Sequence, residues 1–177
     1  MTTTRTIRER LKGEDGTTLI ETAVAAGILL TVLCGLLSVI SFATAITENE
    51  GHLSARAAEY AQDKMEQLVA LAYTDAVSDT TSIPTANAGG TGLTIGGSSN
   101  TAAPVAQYLD FLKMDGTPLC PCVGTTKPAN WYYMRVWSIT SPRLNLKQIT
   151  VTTTVASSVG KAILPTATVT ALKSSPF

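Results

Sequence analysis

The feature that most constrains this 177-residue chain is an unbroken run of 26 residues, Thr22 to Thr47, that contains no charged side chain. At about 1.5 Å per residue, a helix of this length exceeds the roughly 30 Å thickness of a membrane hydrocarbon core. A buried core helix is one alternative, but such helices rarely exceed about 20 residues without a polar face. A secretory signal is another, but its apolar region is about 7 to 15 residues and ends in a small-residue cleavage site. The run therefore predicts a single membrane span.

The charges on either side of the run predict its orientation. Four basic residues precede it, Arg5, Arg8, Arg10 and Lys12, whereas Glu48 and Glu50 follow it. Because the positively charged flank of a membrane span stays in the cytoplasm, the N-terminus is expected there. The rest of the chain is then exported.

A short motif, Gly16-Thr17-Thr18-Leu19-Ile20-Glu21, stands at the start of the span. Glu21 is unusual because inserting a carboxylate toward the centre of a bilayer costs about 2.5–3.5 kcal/mol of free energy. Such a residue indicates a function, and the alternative is a carboxylate that lies in the headgroup layer. Gly16 has no Cβ, and this lets the chain stay extended and lets a protease approach closely. Continuing a helix through a glycine costs about 1 kcal/mol relative to alanine.

This motif, followed by a full-length apolar span, resembles the class III signal of type IV prepilins and pseudopilins. The resemblance implies that a prepilin peptidase removes residues 1–16 as a cytoplasmic leader, cutting between Gly16 and Thr17, and methylates Thr17. Glu21 then becomes the fifth residue of the mature chain. In that family the glutamate is thought to pair with the N-terminal ammonium of a neighbouring subunit and to set the filament register.

The resemblance also implies a set of partners. These are the prepilin peptidase, other pilin or pseudopilin subunits, an assembly platform in the inner membrane, and membrane lipid before assembly. The resemblance further implies that the chain lies in the inner (cytoplasmic) membrane with its C-terminal domain periplasmic or extracellular, and that after assembly it belongs to a filament at the cell surface.

The chain departs from the family pattern at several positions. Thr17 stands where an aromatic residue or methionine is commoner, and Glu14 and Asp15 stand where basic residues are usual. Cleavage after Gly13 would leave no carboxylate at the fifth mature position, so Gly16 is the preferred site. Ser38 occupies the place where major pilins tend to carry a proline, which favours a minor pilin or pseudopilin.

Helical periodicity continues beyond the span. Apolar residues recur at steps of three and four: Leu53, Ala57, Tyr60, Ala61, Met65, Leu68 and Ala72. Charged residues lie between them: Arg56, Glu59, Asp63 and Glu66. This pattern predicts one continuous helix over about 17–73, with a transmembrane and polymerisation half at 17–47 and an amphipathic half at 48–73. A separate amphipathic helix, broken near Gly51, is the alternative.

Strand signals dominate the exported domain, residues 74–177. A segment rich in Gly, Ser and Thr, 74–104, predicts a flexible connection with a short strand at 93–95. Residues 131–140 and 146–155 predict an antiparallel hairpin, and a third strand is expected at about 166–172. The predicted fold class is α+β, in which a long N-terminal helix packs on a small C-terminal antiparallel sheet, as in pilins.

The cysteines give weaker indications. Cys34 lies in the span and is expected to act as a small apolar packing residue. Cys120 and Cys122 flank a single proline, so a disulfide between them would be strained; they could bridge anyway, pair between subunits or stay free. A metal site would need further ligands, and the one histidine, His52, is interpreted as a solvated side chain. No metal and no cofactor are therefore expected.

Charge and motif content narrow the function classes. Basic and acidic residues balance at 13 each, without a basic stripe, so nucleic acid is not an expected partner. No catalytic triad or zinc-protease motif is present in the sequence, and the protein is not expected to be an enzyme. The sequence favours a structural subunit of a type IV pilus or a type II secretion pseudopilus, with a competence pseudopilus also open. The alternative is a permanently anchored binding or adhesion protein on the outer side of the membrane.

Overall fold

The computed structural model describes residues 15–119, 124–157 and 164–175. The chain divides into two compact units, Met1–Ile46 and Thr47–Phe177. A single 56-residue helix, α1 (Asp15–Ala70), begins in the first unit and ends in the second. α1 continues through Gly51 without a break, as in the continuous helix that the sequence predicts and unlike the alternative of two helices.

The two ends of α1 differ slightly from the predicted ends. The helix begins at Asp15 and so includes Gly16, which the sequence analysis expected to stay extended. The cost of a glycine in a helix, about 1 kcal/mol, is small enough for a long helix to extend over it. At the other end α1 stops at Ala70, so Ala72 lies beyond the helix and is exposed, contrary to its predicted place on the apolar face.

The second unit contains one antiparallel sheet. Its strands are β1 (Gly96–Gly97), β2 (Leu109–Leu112), β3 (Pro118–Leu119), β4 (Tyr133–Arg143), β5 (Leu146–Val155) and β6 (Thr166–Ser174). The order across the sheet is β3-β2-β4-β5-β6, and β1 pairs with β4. The second half of α1 packs on this sheet through Ala61, Met65 and Leu68. The predicted α+β fold class is thus confirmed.

The strands agree with the sequence in part. The predicted hairpin corresponds to β4 and β5, and β6 lies where the third strand was expected. β4 extends to Arg143 with a register shift after Thr140, although a turn was expected from Ser141. The short strand expected at 93–95 lies instead at Gly96–Gly97, and Leu93 is fully buried in the core. β2 and β3 were not predicted.

The face of the sheet that meets α1 is set by the two-residue repeat of the strands. On β5, Ile149, Val151 and Val155 are buried on this face, and Thr153 joins them. Leu146 falls by its even number on the opposite face with Thr150. The opposite face carries its own cluster at β2 and β4, formed by Leu109, Phe111, Met134 and Val136 with Leu119 and Trp131.

Candidate functional site

The first part of the candidate site is the apolar segment of α1. Every side chain from Thr18 to Ala45 is exposed in the structure. α1 is the one helix, among the described residues, that is long and apolar enough to cross a membrane by length and composition. A continuous apolar surface of this extent needs cover from lipid or from other protein.

Hydroxyl groups along this segment find partners within the helix itself. Five side chains each donate a hydrogen bond of 2.9 Å to the backbone carbonyl four residues earlier: Thr22, Thr31, Ser38, Ser41 and Thr44. Because a polar group in hydrocarbon must find a partner without water, these bonds adapt the segment to an apolar environment. Neither lipid nor a neighbouring helix has to supply a partner for them.

Glu21 is the one charged residue between Thr18 and Thr47. Its side chain is exposed, and no ion pair joins it to any other residue that the structure describes. Gly16 and Thr17 lie in the first turn of α1, about one turn before Glu21. The predicted cleavage bond and the predicted register residue therefore belong to the same end of one helix.

The other residues singled out in the sequence are spread along the chain. Cys34 is an exposed free thiol in the apolar segment, and His52 is exposed on α1. Cys120 and Cys122, the candidate disulfide, lie outside the described residues, as do residues 1–14 of the predicted leader. No group of three or more metal-ligating side chains forms among the described residues.

The second part of the site is a buried ion network between α1 and the sheet, which the sequence analysis missed. It consists of Lys64 on α1, Asp110 on β2 and Arg135 on β4, with side chains 0%, 2% and 0% exposed. Arg135 binds Asp110 in a two-pronged arrangement, with Nε 2.7 Å from Oδ1 and Nη2 2.8 Å from Oδ2. Lys64 Nζ approaches Asp110 Oδ2 from the helix side at 2.8 Å.

Further contacts complete the surroundings of both cations. Arg135 Nη1 lies 2.9 Å from Asp63 Oδ2 and 3.3 Å from the carbonyl of Tyr60, both on α1. Lys64 Nζ also donates to the carbonyl of Thr80 and lies 4.4 Å from the ring centre of Trp137. Two cations and two carboxylates thus balance in charge, and the cations bind groups on both the helix and the sheet.

The ionisation of the network follows from burial and proximity. Burial alone would raise the pKa of Asp110, but the charges of Arg135 and Lys64 hold that pKa below its ordinary value of 3.8. Burial lowers the pKa of Lys64 from 10.5, although Asp110 acts in the opposite direction. For Arg135, burial is outweighed by Asp110, and its pKa is raised. Asp110 is therefore a carboxylate held between two cations.

The end of α1 is held by two further lysines. Lys147 on β5 donates from Nζ to the carbonyls of Tyr73 and Leu93, both at 2.7 Å. Lys173 on β6 donates to the carbonyl of Val69 at 2.6 Å. Val69 is one of the last four residues of α1, whose carbonyls lack partners within the helix, so Lys173 satisfies one of them and favours the helix dipole. Lys147 instead joins the chain just after α1 to the segment at Leu93.

The chain that follows α1 is shaped by two aspartates. Asp75 accepts hydrogen bonds from the backbone N–H groups of Val77 and Ser78, and Asp79 accepts from the N–H and hydroxyl of Thr81. These turns place the carbonyl of Thr80 where it accepts a hydrogen bond from Lys64 Nζ. They belong to the segment expected to be a flexible connection, and they pack it against the core through Ser78 and Thr80.

The first half of α1 is apolar and exposed, and the second half contacts the sheet through buried charged side chains. Asp110 and the half-exposed Asp63 balance the charges of Lys64 and Arg135, and these contacts join α1 to β2 and β4. No family model, curated protein or solved structure matches this chain.

Proposed function

We propose that this chain is the precursor of a pilin-like structural subunit, a minor pilin or pseudopilin of a type IV pilus or a type II secretion pseudopilus. The observation that carries the proposal is α1 itself. One uninterrupted helix joins an exposed apolar segment, whose single charge is Glu21, to a half-helix that is fixed on a sheet. A subunit that polymerises through a helix and displays a folded domain needs this combination.

The chemistry of assembly follows from the two parts of the site. In the membrane, lipid covers the apolar segment; in a filament, neighbouring helices replace that lipid. After cleavage between Gly16 and Thr17, the new ammonium of one subunit would pair with Glu21 of another, so that neither charge is left alone in an apolar surrounding. The ion network of Lys64, Asp110 and Arg135 would keep the sheet attached to the helix during this transfer.

A permanently anchored binding protein is the competing function. Such a protein needs an apolar helix but has no use for an unpaired carboxylate at the end of it, nor for a glycine in the first turn. Glu21 and Gly16 therefore favour the filament subunit. The pairing of the buried ionisable groups with one another supports a structural role over a catalytic one.

Assembly is tested in cells that contain a prepilin peptidase and a type IV filament system. Wild-type protein, Glu21→Ala and Glu21→Asp are expressed at equal levels, and sheared filaments are compared with the membrane fraction by immunoblotting. We expect wild-type protein in the sheared fraction, Glu21→Ala in the membrane although it is cleaved, and partial recovery with Glu21→Asp. Wild-type protein that is cleaved and never leaves the membrane would contradict the proposal.

A further inference from the structure

Strand β6 forms one edge of the sheet over nine residues, Thr166–Ser174. On its inner side it pairs with β5 through nine consecutive residue pairs without a register shift. Its other side has no neighbouring strand among the described residues.

The backbone groups on that open side can be identified from the pairing pattern. The N–H of Ser175 donates to the carbonyl of Asn145 at 2.9 Å, so residue 175 bonds toward β5. Because the direction alternates along an antiparallel strand, the odd-numbered residues of β6 bond to β5. The even-numbered residues, from Thr166 to Ser174, direct their N–H and C=O groups to the open edge, where no described residue binds them.

This edge lacks the usual protection against pairing. Residues Thr166–Leu172 contain no proline, no charge and no bulge. The one charged residue of the strand is Lys173, and its ammonium is bound to the carbonyl of Val69. Long, regular and uncharged edges of this kind are templates for a further strand.

The sequence of β6 points to its own copy as the added strand. Around Val169 the strand reads nearly the same in both directions, Thr166-Ala-Thr-Val-Thr-Ala-Leu172. In an antiparallel pair centred on Val169, Thr168 stands opposite Thr170, and Ala167 opposite Ala171. No like charges meet, and the facing residues 168 and 170 are both even-numbered, so their free backbone groups bond to each other.

Threonines already face each other across two strands within one chain. On the face of the sheet opposite α1, the hydroxyls of Thr152 and Thr168 lie 3.0 Å apart, and those of Thr150 and Thr170 lie 3.3 Å apart. A Thr168–Thr170 pair between two chains continues these rows of threonines, at a hydrogen-bonded position where the Cα atoms are about 5.5 Å apart.

We infer that two copies of this chain pair through β6, antiparallel and with the two-fold axis at Val169, into one continuous sheet. The inference does not depend on filament assembly, because it uses the sheet edge and not the apolar segment of α1. Its partner is a second copy of the same chain.

Charge placement tests this register in the full chain, purified in detergent micelles. In Thr168→Lys/Thr170→Lys, lysine faces lysine twice across the two-fold axis. In the matched variant Thr168→Lys/Thr170→Glu, lysine faces glutamate twice. Both variants lose the same threonine contacts within the chain, and thermal unfolding verifies that both are folded. We expect the Lys/Lys variant to dimerise more weakly, with a dissociation constant about tenfold larger than that of the Lys/Glu variant.

Cysteine cross-linking gives a second measurement of the same pairing. With the native cysteines replaced by serine, Thr168→Cys protein is mixed with Thr170→Cys protein and oxidised; a Thr166→Cys and Thr168→Cys mixture is the control. We expect a covalent heterodimer in the first mixture and little in the second. A monomeric wild-type chain, or dimers that respond equally to Lys/Lys and Lys/Glu, would overturn the inference.

Discussion

Lys64 Nζ on α1 lies 2.8 Å from Asp110 Oδ2 on β2, and both side chains are buried. Arg135 on β4 holds the same carboxylate with two hydrogen bonds, so one aspartate joins the helix to two strands. Since an unpaired charge is costly in an apolar interior, both cations depend on Asp110. The network therefore joins the second half of α1 to β2 and β4.

Removing the central carboxylate should be costly. In Asp110→Asn, the charges of Lys64 and Arg135 lose their buried partner, and we expect the free energy of unfolding to fall by about 3–5 kcal/mol. Urea unfolding of the detergent-solubilised chain, followed by tryptophan fluorescence, measures this change.

The matched control is the exposed pair of Arg56 and Glu59, 3.1 Å apart on the same helix. Glu59→Gln should change the free energy of unfolding by no more than about 0.5 kcal/mol, because exposed ion pairs are weak. Equal effects of the two substitutions would show that the buried network does not hold the helix on the sheet.

Acid should weaken the domain through the same residue. The pKa of Asp110 in the folded chain lies below its ordinary value of 3.8, so the folded state favours the carboxylate and binds fewer protons than the unfolded state. This contribution to stability is present above pH 3.8 and is lost as the pH falls through the lower folded pKa. Asp75 and Asp79 contribute with the same sign.

Unfolding measured from about pH 5 down to about pH 2 should therefore show a falling free energy. Asp110→Asn should show a shallower slope than the wild-type chain. An unchanged slope in this variant would mean that Asp110 is not held ionised by its two cations.

Lys147, which binds the chain just after α1, gives a third prediction. Lys147→Met keeps an apolar stem but removes the ammonium that binds the carbonyls of Tyr73 and Leu93. We expect a loss of about 1–2 kcal/mol in the free energy of unfolding. Lys113→Met, at an exposed lysine, is the control and should stay within about 0.5 kcal/mol of the wild-type value. A similar loss in both variants would show that these two hydrogen bonds do not stabilise the domain.

Two glycines should respond to alanine in opposite directions. At Gly51, a Cβ meets nothing within 4 Å in the helix, so Gly51→Ala should stabilise the chain by about 0.5–1 kcal/mol. At Gly97, φ is 81° and a Cβ would collide with the carbonyl of Trp137 and the ring of Tyr108, so Gly97→Ala should destabilise by about 1–3 kcal/mol. Thermal unfolding distinguishes the two, and destabilisation by Gly51→Ala would contradict a continuous α1.

The sequence revealed the elements whose patterns are local and regular. The uncharged run and the periodic apolar residues from Leu53 to Leu68 were enough to predict α1, and β-branched residues were enough to predict β4, β5 and β6. The three- and four-residue repeat identified the buried face of the helix at Leu53, Ala57 and Ala61.

The buried network could not be predicted in the same way. Its acid lies in β2, a four-residue strand with no alternation and with all side chains buried. Lys64 interrupts the apolar face of α1, and Asp110 interrupts an apolar run, so each appeared as an exception to a local pattern. The pairing of β2 with β4 places Asp110 beside Arg135, and the packing of α1 on the sheet places Lys64 beside Asp110. Neither contact can be read from a local pattern.

The most direct test of the proposed function is the intact mass and N-terminal sequence of the protein produced with and without a prepilin peptidase. Gly16→Ala is the test variant, and Gly13→Ala, at the neighbouring glycine, is the matched control. We expect wild-type and Gly13→Ala protein to lose residues 1–16 and to carry one added methyl group on Thr17, only when the peptidase is present. Gly16→Ala should remain uncut. A leader that stays intact with the peptidase, or cleavage near Ala43, would contradict a pilin-like precursor and leave an anchored or secreted binding protein.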